Sequence, residues 1–155
     1  MNALRRNVLK GAAGAGTVAI AVAAGLLKPT QAMAAWNKAA FEAKSVGDAM
    51  KGLGTTGPAD SKEITIKAPD IAENGSVVPV EVTSSIAGTT SIAILAEKNG
   101  TPLVGTYNLS GGAEGYISTR IKMGQTSLVR AVVNAGGKSY TAAKEVKVTI
   151  GGCGG

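Results

Sequence analysis

The hydrophobic period of the chain changes near residue 62, and this change constrains the fold more than any other feature. From Glu63 to Ala68 apolar and polar residues alternate, as they do in a strand with one buried face. Further short apolar runs follow, separated by turn residues, of which Asn99-Gly100 is the strongest hairpin signal. The pattern predicts seven strands, at 63–68, 78–82, 91–96, 103–109, 116–123, 127–133 and 139–150.

Seven short strands at a spacing of roughly ten residues predict a mainly β fold. We expect an immunoglobulin-like antiparallel β-sandwich over residues 62–150. Pro79 lies within the second predicted strand and implies an edge strand or a bulge, because proline has no N–H to donate. Only 3% of residues are aromatic, so the core is expected to be thin. The N-terminal helix described next, or a partner subunit, is therefore expected to cover apolar surface of the sandwich.

Residues 35–54 are predicted to form one amphipathic helix ahead of the sandwich. Their apolar residues recur in steps of three and four, which places them in a thin stripe on one face. Gly52 or Gly54 supplies a natural stop, and 55–60 is expected to be a linker. The stripe consists of Trp36, Ala39, Ala40, Ala43, Val46, Met50 and Leu53.

Residues 1–34 have the three-part layout of an export signal. The basic start contains Arg5, Arg6 and Lys10, an apolar run spans 11–27, and the small residues 32–34 form a cleavage site. The run is short and diluted by Gly and Ala, which favours a cleaved signal over a transmembrane anchor. The Arg5-Arg6 pair resembles a twin-arginine signal, which exports folded cargo to the periplasm. After cleavage no membrane association is expected.

The remaining composition excludes several classes of function. The signal accounts for four of the six net positive charges, and the other basic residues are scattered, so a nucleic-acid partner is not expected. The chain has no histidine and one cysteine, which excludes a Ser-His-Asp triad, a Cys-His pair and a zinc ribbon. We therefore predict no catalytic residue, no metal site and no cofactor.

The most specific feature follows the last predicted strand. Cys153 is flanked by Gly151, Gly152, Gly154 and Gly155, so no neighbouring side chain restricts it and its backbone has wide conformational access. Residues 151–155 are expected to form an exposed, flexible C-terminal arm that can enter a pocket of another protein. From the chemistry alone, the thiol either has a function of its own or forms an intermolecular disulfide.

An exported single domain, a helix before a β-sandwich and the terminal Gly-Gly-Cys-Gly-Gly of residues 151–155 together resemble the SoxY family. Members are sulfur-carrier subunits of the bacterial Sox thiosulfate-oxidising system. The resemblance implies that Cys153 carries the sulfur adduct covalently and that the chain pairs with a SoxZ-like sandwich subunit. It also implies transient partners: a cytochrome that loads thiosulfate, a hydrolase that releases sulfate and a sulfur dehydrogenase.

Three other functions remain to be compared with this one. A periplasmic immunoglobulin-like structural module would use Cys153 for an intermolecular disulfide. A carrier with a terminal Gly-Gly thiocarboxylate requires ATP-dependent activation in the cytosol, and such carriers have a β-grasp layout that the strand pattern does not show. A thiol enzyme requires a sheltered site with a cationic neighbour, which a glycine-flanked cysteine lacks. The sequence favours the carrier, with the structural module as the alternative.

Overall fold

A computed structural model of the chain describes residues 37–149. Within these residues, two short helices precede nine strands, and all nine strands belong to two sheets. The helices are α1 (Lys38–Phe41) and α2 (Val46–Gly52). The strands are β1 (Ala59–Asp60), β2 (Ile64–Lys67), β3 (Ile71–Ala72), β4 (Val78–Ser84), β5 (Thr89–Ala96), β6 (Leu103–Asn108), β7 (Tyr116–Ile121), β8 (Ser127–Ala135) and β9 (Lys138–Val148).

The larger sheet has the order β1-β9-β8-β5-β6, with β3 also paired to β9, and the smaller sheet has the order β2-β4-β7. A mainly β, immunoglobulin-like sandwich is therefore confirmed, and all seven predicted strands are present. β1 and β3 are additional, and they run parallel to β9 instead of antiparallel. The first strand therefore begins at Ala59, inside the predicted linker. The last strand ends at Val148, whereas the predicted strand ends at residue 150.

One core lies between the two sheets. Alternate residues of β4 point inward and are fully buried, and they meet inward residues of β5, β8 and β9. Burying each such aliphatic side chain stabilises the fold by about 1.5–3 kcal/mol. Met123 fills part of this core, where aromatic side chains are few. The fully buried members are Val78, Val80, Val82, Ile92, Ala96, Met123, Val129, Ala131, Val133 and Val146.

Pro79 lies in the middle strand of the smaller sheet, so the expectation of an edge strand is wrong for β4 as a whole. The register explains why the proline is tolerated. β2 pairs with β4 only from Glu81 to Ser84, whereas β7 continues alongside as far as Val78. Within residues 37–149, β7 is thus the only strand paired at Pro79, and the position has the local character of an edge.

The predicted single helix is two helices, which corrects the expectation for 35–54. The first helix ends at Phe41, and Ser45, just before the second, is extended, with φ and ψ of −126° and 153°; its hydroxyl accepts from the Asp48 N–H. Serine caps a helix in this way because it satisfies an otherwise unpaired backbone donor. The break lets α1 and α2 fold onto each other, so that Ala40 and Ala49 are both completely buried.

The two helices cover the outer face of the larger sheet, as expected for a thin sandwich. They form a second apolar cluster with Leu95, Leu103 and Val132, which point away from the main core. Neither of these helices, nor any other within residues 37–149, is long and apolar enough to cross a membrane.

Candidate functional site

The residues singled out for function lie outside the described part of the chain. Cys153 and its four flanking glycines follow residue 149, and Arg5 and Arg6 precede residue 37. The structure instead defines the base from which residues 151–155 continue, at the end of β9.

The end of β9 is bound by hydrogen bonds on both of its edges. On one edge β3 runs parallel to it, with Ile71 opposite Lys147 and Ala72 opposite Val148. The Thr149 N–H donates to the Ala72 carbonyl at 3.2 Å, and the Lys147 N–H donates to the carbonyl of residue 70 at 3.0 Å. The backbone is thus held up to Thr149, the last described residue.

The other edge of β9 is held by a side chain. The Val148 N–H donates to the Thr126 hydroxyl at 2.9 Å, just before β8 begins. A hydroxyl replaces a strand carbonyl here because the pairing of β8 with β9 ends at Ser127 and Val146. Neither Thr126 nor β3 was identified from the sequence, since one hydroxyl and a two-residue strand leave no periodic signal.

Side chains also anchor this strand end. Val146 is fully buried in the main core, and Val148 packs against the same core. On the β3 side, the Lys144 ammonium lies 3.1 Å from an Asp70 carboxylate oxygen and donates to the Ala68 carbonyl at 2.6 Å. These contacts tie the segment before β3 to β9, and so they hold β3 in place beside the end of β9.

Two turns lie at the same end of the sandwich and are joined to each other. Asn99, in the β5–β6 hairpin, donates to the Lys122 carbonyl at 2.7 Å and accepts from the Gly124 N–H at 3.1 Å. Gln125 donates to the Lys98 carbonyl at 3.3 Å. The Asn99-Gly100 hairpin was predicted, but the bonding of Asn99 to the β7–β8 turn was not, because it links residues distant in sequence.

The two arginines of the sandwich have ordinary structural surroundings. Arg130 forms a partly buried ion pair with Glu97, with 2.7 Å between Nε and the carboxylate oxygen, and it also donates to Thr141. Arg120 is exposed on β7. Among the residues from 37 to 149, no three Asp, Glu, His or Cys side chains are grouped as a metal site requires.

The tyrosines fit the same interpretation. Tyr107 and Tyr140 pack against the main core, and Tyr116 is exposed at 44% on β7. The hydrogen bonds up to Thr149 thus hold the strand from which the segment with Cys153 continues, and beyond residue 150 the sequence of that segment contains only glycine and the cysteine.

The comparison with family models decides the classification. The model described as sulfur oxidation protein SoxY matches residues 50–153, which is most of the chain, and its match ends on Cys153. The chain belongs to the SoxY family. The resemblance that the sequence suggested is therefore confirmed at the level of the family.

Solved structures support the same classification. The sulfur carrier protein SoxY from Chlorobium limicola f thiosulfatophilum is 42% identical, with a TM-score of 0.59, over 65% of this chain and 92% of that chain. Superoxide reductase (neelaredoxin) from Ignicoccus hospitalis is 20% identical, with a TM-score of 0.50, over 58% of this chain and 82% of that one. The second likeness concerns the fold alone. The comparison with curated proteins gives no match.

Proposed function

We propose that this protein is a periplasmic sulfur carrier, which holds sulfur derived from thiosulfate on Cys153 and presents it to Sox enzymes. The observation that carries the proposal is the family match, which extends through the whole sandwich to Cys153. The 42% identical sulfur carrier from Chlorobium supports the same role. The alternative, a structural module whose cysteine forms a disulfide, has no comparable support.

The geometry of the base suits a carrier. Cys153 follows Thr149 by four residues, so its Cα reaches at most about 14 Å beyond the fold. The hydrogen bonds of Lys147, Val148 and Thr149 fix where that reach begins. The glycines beside Cys153 add no side-chain width, which permits entry into a narrow pocket. Because the segment after Thr149 starts from a fixed position and is narrow, the sulfur on Cys153 can enter several active sites in turn.

The loading step joins thiosulfate to the thiol oxidatively. The Cys153 S–H loses its proton, a sulfur–sulfur bond forms to the outer sulfur of thiosulfate, and two electrons pass to a cytochrome partner. The product is a cysteine S-thiosulfonate with one negative charge. Because the electrons leave through the cytochrome, the carrier itself needs no redox cofactor.

The adduct then loses sulfate by hydrolysis in a second partner. Water supplies the fourth oxygen of sulfate, the bond between the sulfonate and the neighbouring sulfur breaks, and a persulfide remains on Cys153. A sulfur dehydrogenase, where present, oxidises that remaining sulfur. All of these reactions occur in the pockets of the partner enzymes, so the carrier is non-catalytic in this proposal.

The proposal also includes the location and the main partner. Arg5 and Arg6 direct export of the folded chain by the twin-arginine pathway, together with a SoxZ-like sandwich subunit. No nucleic acid and no membrane surface is involved after cleavage of residues 1–34. The pairing with SoxZ is supported by family membership.

Intact mass spectrometry tests the proposed function. The protein is isolated from the periplasm of cells grown on thiosulfate, without reductant and again after reduction. We expect reducible additions of sulfur or of a thiosulfate group, all mapping to Cys153 and absent from Cys153→Ser. A single cysteine-linked dimer without sulfur additions would contradict the carrier and support the structural module.

A further inference from the structure

The sequence contains two Asn-Gly pairs, Asn74-Gly75 in the turn between β3 and β4 and Asn99-Gly100 in the β5–β6 hairpin. In such a pair the asparagine side chain can react with the next backbone nitrogen, because glycine has no side chain that blocks the approach. The two asparagines are alike in sequence, but the fold gives them different hydrogen-bond partners. Their reactivity is therefore expected to differ.

The side chain of Asn99 is held by a distant part of the chain. Its nitrogen donates to the Lys122 carbonyl at 2.7 Å, and its oxygen accepts from the Gly124 N–H at 3.1 Å. The Asn99 N–H also donates to the Ala96 carbonyl at 3.1 Å, which fixes the backbone. The carboxamide has to leave both side-chain bonds before its carbon can approach the nitrogen of Gly100. Breaking two hydrogen bonds should slow the reaction at Asn99 by about tenfold or more.

The bonds of Asn74, in contrast, lie within its own turn. Its side-chain oxygen accepts from the Ser76 N–H at 2.8 Å, and its backbone carbonyl accepts from the Val77 N–H at 3.3 Å. A bond from the N–H two residues on folds the carboxamide back toward the backbone of the next residue, here Gly75. The same bond draws electron density from the carbonyl carbon and so favours attack on it. Asn74 is exposed, so ammonia can leave and water can enter.

We infer that Asn74 is a site of spontaneous modification through a succinimide, and that its reaction loosens the end of β9. The Gly75 nitrogen attacks the side-chain carbonyl carbon of Asn74, a carbon–nitrogen bond forms, and the bond to the side-chain nitrogen breaks. Ammonia leaves with the proton of the Gly75 amide. Water then opens the ring at one of its two carbonyls, which yields either aspartate or isoaspartate, each with a new carboxylate.

Isoaspartate at residue 74 would act on β9 through the backbone. The turn is held on one side by the Ala72 carbonyl, which accepts from the Thr149 N–H at 3.2 Å, and on the other by the Gly75 carbonyl, which accepts from the Met123 N–H at 2.7 Å. Isoaspartate inserts one methylene into the main chain between these bonds, which lengthens it by about 1.5 Å. Met123 is fully buried in the main core, whereas β3 is a strand of only two residues. The pairing of β3 with β9 is therefore the side that gives way.

Labelled water shows which asparagine reacts. The purified protein is incubated in mildly alkaline water labelled with heavy oxygen and is then digested with trypsin in ordinary water. Cleavage after Lys98 separates the two sites, with Asn74 in the peptide 68–98 and Asn99 in the peptide 99–120. We expect label to enter 68–98 about tenfold faster or more, and to be absent from 68–98 of Asn74→Gln. In urea, where the bonds of Asn99 are lost, the two rates should become similar.

Hydrogen exchange tests the effect on β9. The modified protein is separated by its added negative charge, and an isoaspartyl methyltransferase confirms isoaspartate at residue 74. We expect the protection of the Thr149 amide to fall about two- to tenfold in this species, as for the loss of one hydrogen bond, with no change at Val133. Asn74→Asp is the matched control, because it adds the same charge to a main chain of normal length, and it should leave Thr149 protected.

Three results would overturn the inference. Label that enters 99–120 of the folded protein as fast as 68–98, or that enters neither peptide, would refute the selective reaction of Asn74. Unchanged protection of Thr149 in the isoaspartate species would refute the link to β9. An equal loss of protection in Asn74→Asp would assign the effect to charge and would also refute the lengthened main chain as its cause. None of these measurements involves Cys153, so they leave the proposed function to its own test.

Discussion

Thr126→Val is expected to loosen the end of β9 without unfolding the sandwich. The substitution keeps the shape of the side chain but removes the hydroxyl that accepts from the Val148 N–H at 2.9 Å. A hydrogen bond of this kind contributes about 0.5–1.5 kcal/mol. Because about 1.4 kcal/mol corresponds to a factor of ten, the population with an open strand end should rise about two- to tenfold.

Hydrogen exchange at individual amides measures this opening. We expect the protection of Val148 to fall by that factor, while the amide of Val133, near the end of β8 that is far from Thr126, keeps its protection. Thr65→Val is the matched control, because Thr65 is an exposed residue of β2 in the other sheet. Unchanged protection at Val148 would refute the hydroxyl anchor, and an equal loss at Val133 would show global destabilisation instead.

Three further predictions concern glycine packing, the joined turns and the segment beyond β9. Gly52→Ala would place a Cβ 2.7 Å from the Ala40 Cα and should lower the free energy of unfolding by about 1–3 kcal/mol. In the control, Gly47→Ala in the same helix, the new Cβ meets nothing closer than 3.9 Å, so the free energy of unfolding should rise by up to about 1 kcal/mol. Urea denaturation measures both variants, and stabilisation of both would refute the close contact at Gly52. Asn99→Ala removes two bonds between the turns and should cost about 1–2 kcal/mol in the same assay, whereas an unchanged midpoint would contradict their role. Gly154→Val should slow the loading of sulfur onto Cys153 by purified partner enzymes, because a β-branched side chain widens and stiffens the chain. The melting temperature should be unchanged, and an unaltered loading rate would argue against entry of the segment into a pocket.

Seven of the nine strands within residues 37–149 could be predicted from the sequence, because each of these seven is marked by a local signal. Alternation from Glu63 to Ala68 identifies β2, and the glycines near residue 136 identify the turn between β8 and β9. In the structure Gly136 and Gly137 have φ values of 56° and 75°, and they form the two-residue loop between the paired Ala135 and Lys138. Positive φ at both loop positions is typical of a type I′ turn, and glycine adopts it without strain.

The features that were missed depend on tertiary contacts. The stripe of 35–54 predicted one helix, but capping by Ser45 and the burial of Ala40 and Ala49 against the sheet favour two. Nothing local in residues 71 and 72 indicates that they pair with β9. The hydrogen bonds of Asn99 join the β5–β6 hairpin to the β7–β8 turn, which are distant in sequence, so only the folded chain reveals them. The motif around Cys153, in contrast, was readable directly because it is contiguous.

Isotope labelling tests directly whether Cys153 carries sulfur from thiosulfate. Thiosulfate labelled in its outer sulfur is supplied to cells that produce either the unsubstituted chain or Cys153→Ser, and the label bound to the isolated protein is measured before and after reduction. We expect reducible label on the unsubstituted protein and none on Cys153→Ser, with equal amounts of folded protein. Equal label on both, or no label on the unsubstituted protein while the cells oxidise thiosulfate, would contradict it.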